Sequence, residues 1–228
     1  MRFGCAGARE RGSVPTAPIA FLRDLLAPPR CATCAAPCVA AEALCGPCRR
    51  ELARARGGSG VLPGLGPVAW SAPYEGVARA LVAALKFGGA LGLTRIAGTS
   101  VAACQGELPP GWTVVAVPAA PLRRRRRGYD PAELIAAEVG SLLGLPVAAP
   151  LARADGPRQV GRPRRERLAA PPRVRAVAAA PGRVLLVDDV LTTGATLTAS
   201  SAALRAAGCA EVRAAVFART VGERHPGA

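Results

Sequence analysis

The stretch Val184-Leu-Leu-Val-Asp-Asp-Val-Leu-Thr-Thr-Gly-Ala-Thr196 decides how this chain folds. Its apolar start, with Arg183 ahead of it, predicts a strand over Arg183–Val187 that is buried on both faces, as in a parallel sheet. The strand runs into Asp188-Asp189, then into small and hydroxylated residues, then into a helix predicted over Thr196–Ala207 with Gly208 as its C-cap. Open α/β sheets bind ligands at the carboxyl ends of their strands, where the next helix also points its unpaired N–H groups. Thr192, Thr193 and Thr196 add hydroxyl donors, and Gly194 and Ala195 carry no bulk that would hold a phosphate off the backbone. The two aspartates would repel a phosphate, so they call for ribose hydroxyls or a magnesium ion as partners. Acids beside an anion cradle imply a sugar phosphate. A strand followed by an ordinary Asp- and Thr-rich helix cap is the competing reading, outweighed because acids, glycine and three threonines coincide at one strand end. The segment has neither the Gly-x-x-x-x-Gly-Lys-Ser/Thr nor the Gly-x-Gly-x-x-Gly phosphate pattern.

Around this stretch, helix and strand alternate. Helices are predicted over Glu75–Lys86 and Leu91–Ala103, and short apolar strands over Thr113–Val117 and Pro146–Ala149, with Val212–Phe217 as the last strand. Asp130-Pro-Ala-Glu133 combines an N-cap acid, a proline at the first helical position and a capping-box glutamate, so a helix starts there and ends near Gly144. The pattern implies an open, mainly parallel α/β sheet flanked by helices. Gly57-Gly-Ser-Gly60 and the Pro/Gly-rich residues through Pro67 are read as a domain junction.

Four of the eight cysteines form two pairs, Cys31-x-x-Cys34 and Cys45-x-x-Cys48, the spacing of a tetrahedral thiolate site. Structural zinc is the expected metal, and it would supply much of the folding free energy of so small a module. Cys38 is a spare or substitute ligand, while Cys5, Cys104 and Cys209 are read as ordinary small residues, the last two buried. Residues 1–18 are expected to be disordered, 19–56 to hold the zinc-ribbon-like module after a short helix over 19–26, 68–219 to form the main domain, and 220–228 a flexible tail.

The formal charge of +15 at pH 7 is carried almost wholly by arginine, because Lys86 is the only lysine. Such a surface favours phosphorylated metabolites or nucleic acid and disfavours cationic ligands. Charged residues break up the opening stretch, and no apolar run reaches membrane-spanning length, so a cytoplasmic chain without membrane insertion is expected.

Val184–Thr196 resembles the phosphoribosyl diphosphate loop of type I phosphoribosyltransferases. From about Phe21 to Arg219 the chain resembles the ComF family of competence-associated proteins, through Tyr74-Glu-Gly-Val77, Leu85-Lys-Phe-Gly88, Val117-Pro118, Arg127-Gly-Tyr129, Gln159 and Arg167. The resemblance implies that Asp188 and Asp189 hold ribose hydroxyls and that Thr192, Thr193, Gly194, Ala195 and Thr196 hold the 5′-phosphate. It also implies that the loop carrying Arg123–Arg127 and Gly128, with Arg153 and Arg167, meets the diphosphate and its magnesium. Asp188, Asp189 and Arg127 are then the catalytic candidates, the arginine acting by stabilising developing charge. The alternatives for the arginine run are a solvated loop or a nucleic-acid contact.

The chain departs from the family pattern at Asp130-Pro131, where Asn-Gln is usual, and at Ala170, where Asn is usual. Between Arg153 and Arg167 no lysine is present to move a proton, and the single histidine, His225, lies in the tail. Two functions follow from the resemblance. One is transfer of a phosphoribosyl group to an unidentified acceptor with release of diphosphate. The other is a non-catalytic protein that binds phosphoribosyl diphosphate and single-stranded DNA, or competence and recombination proteins, during DNA uptake. Against DNA stands the scarcity of aromatic residues, none of them interleaved with the arginine run.

Overall fold

The structure, a computed structural model, describes residues 29–39, 42–153 and 172–220. The expected helix over 19–26, Arg167, Ala170 and the tail from 221 lie outside the described residues, as does Cys5.

A six-stranded sheet forms the centre, in the spatial order β1 (Gly58–Leu62), β2 (Gly66–Pro73), β8 (Glu211–Arg219), β7 (Arg183–Leu191), β3 (Trp112–Ala116) and β4 (Val147–Ala148). Every pairing is parallel except β1 with β2. The most apolar strand lies inside the sheet because it must bury both faces. Val184, Leu185, Leu186 and Val187 of β7 are all fully buried between β3 and β8. On one face α2 (Gly76–Phe87), α3 (Leu93–Gln105) and α5 (Pro131–Leu143) cover the sheet with Leu81, Leu85, Val101, Ile135 and Val139. On the other, α6 (Ala195–Ala206) contributes Leu197 and Leu204. The antiparallel pair β5 (Leu151–Arg153) and β6 (Val174–Ala176) forms a separate small sheet on the same side.

The expected α/β class is the fold observed, and the predicted helices and strands recur with ends displaced by a few residues. At the start of α5, Asp130 Oδ1 accepts from Ala132 N–H at 3.1 Å. Glu133 does not close a capping box, because its carboxylate pairs with Arg124 at 3.1 Å. Ala207 is the C-cap of α6, and Gly208 follows it with a φ of 98°. Cys104 is only half-buried on α3, whereas Cys209 is buried before β8.

The Gly57–Pro67 stretch, read as a junction, instead carries β1 and the start of β2 and closes one edge of the sheet. Gly58 is opposite Trp70 in the pairing, and a Cβ there would lie 2.6 Å from Trp70 Cζ2. The glycine makes room for an indole ring. Arg219 caps the assembly, its guanidinium 4.3 Å from the Trp70 ring centroid.

The cysteine segment shares the main core. Cys31, Leu44, Cys45 and Cys48 belong to the same buried cluster as Leu81 and Leu85 of α2. Glu51, on α1 (Gly46–Arg54), accepts from the Val77 N–H in the first turn of α2 at 3.0 Å. A carboxylate placed there complements the positive end of a helix dipole.

Candidate functional site

The aspartates lie in the C-terminal half of β7, which continues past Val187 to Leu191. The predicted strand end at Val187 was set by charge, but backbone pairing decides it. Asp188 is opposite Val216, and Val190 is opposite Ala218 of β8. Although side chains alternate along a regular strand, at this strand end Asp188 and Asp189 both line the same cavity. Asp189 is buried and Asp188 half-buried.

Asp189 is not alone. Lys86, in the last turn of α2, donates to Asp189 Oδ1 at 2.7 Å. Sequence reasoning did not assign this residue to the site. The available signal was that the sole lysine in an arginine-rich chain stands at the end of an amphipathic helix.

The carboxylates are crowded together. Asp188 is pushed well above the usual carboxylate range, first by burial and then by the charge of Asp189, with opposition from the Asp189 N–H and Lys86. Asp130 is also raised, mainly by burial and slightly by Asp189. Backbone N–H donors of Ala119 and Ala132 oppose that rise, Ala119 N–H reaching Asp130 Oδ2 at 2.9 Å. The acid standing where the family pattern has Asn therefore pins the segment after β3 to the start of α5.

Residues 121–127 form a helix, α4 (Pro121–Arg127), where the sequence suggested a loop. Proline at its first position and Gly128 at its left-handed C-cap, φ 80°, set its ends. Among the described residues, Arg124 is the one arginine of the run paired with a carboxylate. Tyr129 OH donates to the Leu85 carbonyl, tying the end of α4 to α2 beside Lys86.

These elements enclose a cavity of about 240 Å³ lined by Asp188, Asp189, Thr192, Thr196, Lys86, Arg123, Arg127 and Arg153, with Tyr74 and residues 117–120. Arg153 ends β5, and its pKa is pulled down by burial and by nearby Arg123, against the attraction of Asp188. An arginine remains charged regardless, so the cleft sets Arg123, Arg127 and Arg153 beside the carboxylates of Asp130, Asp188 and Asp189, with Lys86 already paired to Asp189. Thr193 does not line this cavity; it is exposed, and its hydroxyl lies 3.4 Å from Ala195 N. Gly194 takes φ 77° as N-cap of α6, and a Cβ there would lie 3.1 Å from Leu62 Cδ1. Gly194 has no side chain to cap α6, so apart from the Ala195 N–H held by Thr193 Oγ1 its first N–H groups have no side-chain partner among the described residues.

Residues 129–226 match the phosphoribosyl transferase domain. That match contains Asp188–Thr196, Arg153 and Arg167 but not Lys86, Arg123 or Arg127, and it covers less than half of the chain. Among solved structures, the chain is similar to one described as the allosteric regulatory enzyme of purine biosynthesis. The identity is 22%, over 56% of this chain and 26% of that one, with a TM-score of 0.39. The chain thus spans about a quarter of that protein's length. It is also similar to orotate phosphoribosyltransferase from Aeropyrum pernix, at 18% identity over 75% of this chain and 90% of that one, with a TM-score of 0.34. No curated protein matches the chain.

A second chemical centre lies among the cysteines. The sulfurs of Cys31, Cys34, Cys45 and Cys48 all lie within 4.8 Å of one another, a group that could hold a metal ion. Cys34 and Cys45 sulfurs are 3.6 Å apart. Tetrahedral coordination at about 2.3 Å per sulfur gives sulfur–sulfur edges of about 3.8 Å, so the four thiols are close to ligand positions. Cys38 lies outside the cluster and its thiol donates to the Glu42 carbonyl at 3.2 Å. No helix among the described residues is long and apolar enough to cross a membrane.

Proposed function

We propose that this chain is a ComF-type protein that binds phosphoribosyl diphosphate and transfers its phosphoribosyl group to a nitrogen acceptor. The carrying observation is the convergence of Asp188, Asp189, Thr192 and Thr196 with Arg123, Arg127 and Arg153 on one cleft. The carboxylates suit ribose hydroxyls, the open first turn of α6 suits the 5′-phosphate, and the arginines suit the diphosphate. Thr193, Gly194 and Ala195 shape the phosphate turn, and Gly128 ends the arginine helix. Arg167 is assigned to the diphosphate by resemblance. Carboxylate oxygens are hard donors that fit magnesium, which would neutralise charge on the diphosphate when bound.

In the reaction, the acceptor nitrogen gives its electron pair to C1 of the ribose. The C1–O bond to diphosphate breaks and its pair leaves with diphosphate; where the acceptor nitrogen carries a proton, that proton passes to the departing phosphate oxygens, and an acceptor nitrogen without one is left as a cation. Arg127 and Arg123 stabilise the growing negative charge. The Cys31, Cys34, Cys45 and Cys48 cluster is assigned structural zinc, packed against a transferase unit that includes β1 and all of β2. Incubation with labelled phosphoribosyl diphosphate, magnesium and a panel of nitrogen acceptors should give acceptor-dependent diphosphate release. No release with any acceptor removes the transferase.

A second reading keeps phosphoribosyl diphosphate as a bound ligand and places the chain in DNA uptake. It is favoured by exposed Arg123, Arg124, Arg125 and Arg126 on α4. Single-stranded DNA should then bind with an affinity that falls steeply with salt, and absence of binding at low salt removes it.

A further inference from the structure

A second cavity, of about 910 Å³, opens beside the sugar-phosphate cleft and shares Tyr74, Lys86, Arg123 and Arg127 with it. It adds Phe87, Tyr129 and Arg126 to that shared wall, and Gly89. Its chemistry is one-sided. Among the described residues, three aromatic rings and four cationic side chains line it, with no carboxylate and no side-chain amide.

Phe87 is the unusual member. It is 81% exposed, a poor arrangement for a phenyl ring that had no contact to make. The Arg127 guanidinium lies 5.3 Å from its ring centroid and occupies part of its surroundings, while most of the ring remains open. Tyr129 is held against α2 through its hydroxyl, which donates to Leu85 O. Lys86 is engaged by Asp189. Arg123, Arg126 and Arg127 have no carboxylate partner among the described residues. The cavity therefore offers flat apolar faces together with guanidinium donors.

We infer that this cavity is the acceptor subsite and that it takes a planar aromatic ring bearing an anionic substituent such as a carboxylate. This rests on the transferase reading above, since a subsite for an acceptor requires a phosphoribosyl donor next door. An aromatic ring stacks on Phe87 and the guanidinium planes, and its anionic group pairs with Arg126 or Arg123. A neutral purine with exocyclic amino groups fits worse, because the described residues of the wall supply no side-chain carboxylate or amide oxygen to accept from them.

Calorimetry tests this on the full-length protein, with magnesium and phosphoribosyl diphosphate titrated first. Nicotinate is then compared with nicotinamide and orotate with uracil, each pair keeping its ring and differing in the carboxylate. At least one carboxylate should bind about tenfold more tightly than its neutral partner. Phe87→Ala and Arg126→Gln should each weaken that binding several-fold while leaving phosphoribosyl diphosphate affinity and melting temperature near wild type, because both side chains are exposed. If phosphoribosyl diphosphate binds but no carboxylate is preferred, or the two variants change nothing, the subsite is wrong. If single-stranded DNA binds and is lost in the same variants while no carboxylate binds, the surface belongs to nucleic acid. If phosphoribosyl diphosphate itself does not bind, the parent reading fails instead.

Discussion

Lys86 Nζ lies 2.7 Å from Asp189 Oδ1, so the last turn of α2 is bonded to the ligand-facing end of β7. The pair is mostly shielded, the lysine side chain 24% and the aspartate 10% exposed. Replacing Lys86 with Met leaves a buried carboxylate without its counter-charge, which costs more than the pair itself contributes. With the lysine partly solvated, the loss should be about 1–3 kcal/mol, or a drop of roughly 2–12 °C in melting temperature for a chain of this size. Lys86→Arg should recover part of it. Thermal melts of the two variants check this, and an unchanged melting temperature in Lys86→Met would show that the pair does not matter to folding.

Asp188 gives the opposite sign. Its folded pKa is raised, so between the unfolded value and that raised value the native state holds more protons than the unfolded one, and stability falls as pH rises. Asp188→Asn removes this penalty. Its melting temperature should exceed wild type at neutral pH, by about 2–4 °C per kcal/mol relieved, and the gap should close toward pH 4. Melting curves from pH 4 to 8 measure it. Greater stability joined to lost ligand binding is the expected signature of a residue kept for function.

The cysteine cluster should be felt by the whole domain. Leu44, Cys45 and Cys48 pack into the same core as Leu81, and Glu51 caps α2. Metal removal by chelation, or Cys45→Ala, should lower the single melting transition rather than release a separate early one. Glu51→Ala should cost about 1 kcal/mol without affecting metal content. Two resolved transitions in calorimetric melting would mean that the module folds independently.

Gly194 is constrained twice, by φ 77° and by Leu62 against its α-carbon. Gly194→Ala should cost about 1–2 kcal/mol and misplace the first turn of α6. A denaturant melt gives the stability, and phosphate affinity gives the displacement.

Much of this was legible in advance, for identifiable reasons. The buried strand Val184–Val187 announced a parallel sheet by its continuous apolarity, and Asp130-Pro131 announced α5 by cap chemistry. The cysteine spacing gave the cluster directly. Long-range relationships were not legible. Gly58 reads as a linker until Trp70 is seen opposite it, and the arginine run reads as a loop until Pro121 and Gly128 are seen to bracket a helix. Lys86 is 103 residues from Asp189, and no local pattern encodes that contact. The same holds for Phe87 beneath Arg127, which supplies the aromatic partner missing from the sequence around the arginines.

The central claim is that Asp188 and Asp189 hold a phosphorylated ribose. Isothermal calorimetry of phosphoribosyl diphosphate with magnesium tests it most directly, using wild type, Asp188→Ala and Asp189→Ala. Hydrogen bonds to charged groups contribute roughly 1.5–3 kcal/mol, so each substitution should weaken binding about tenfold or more. Folded variants, verified by their melts, that bind as tightly as wild type would contradict the account.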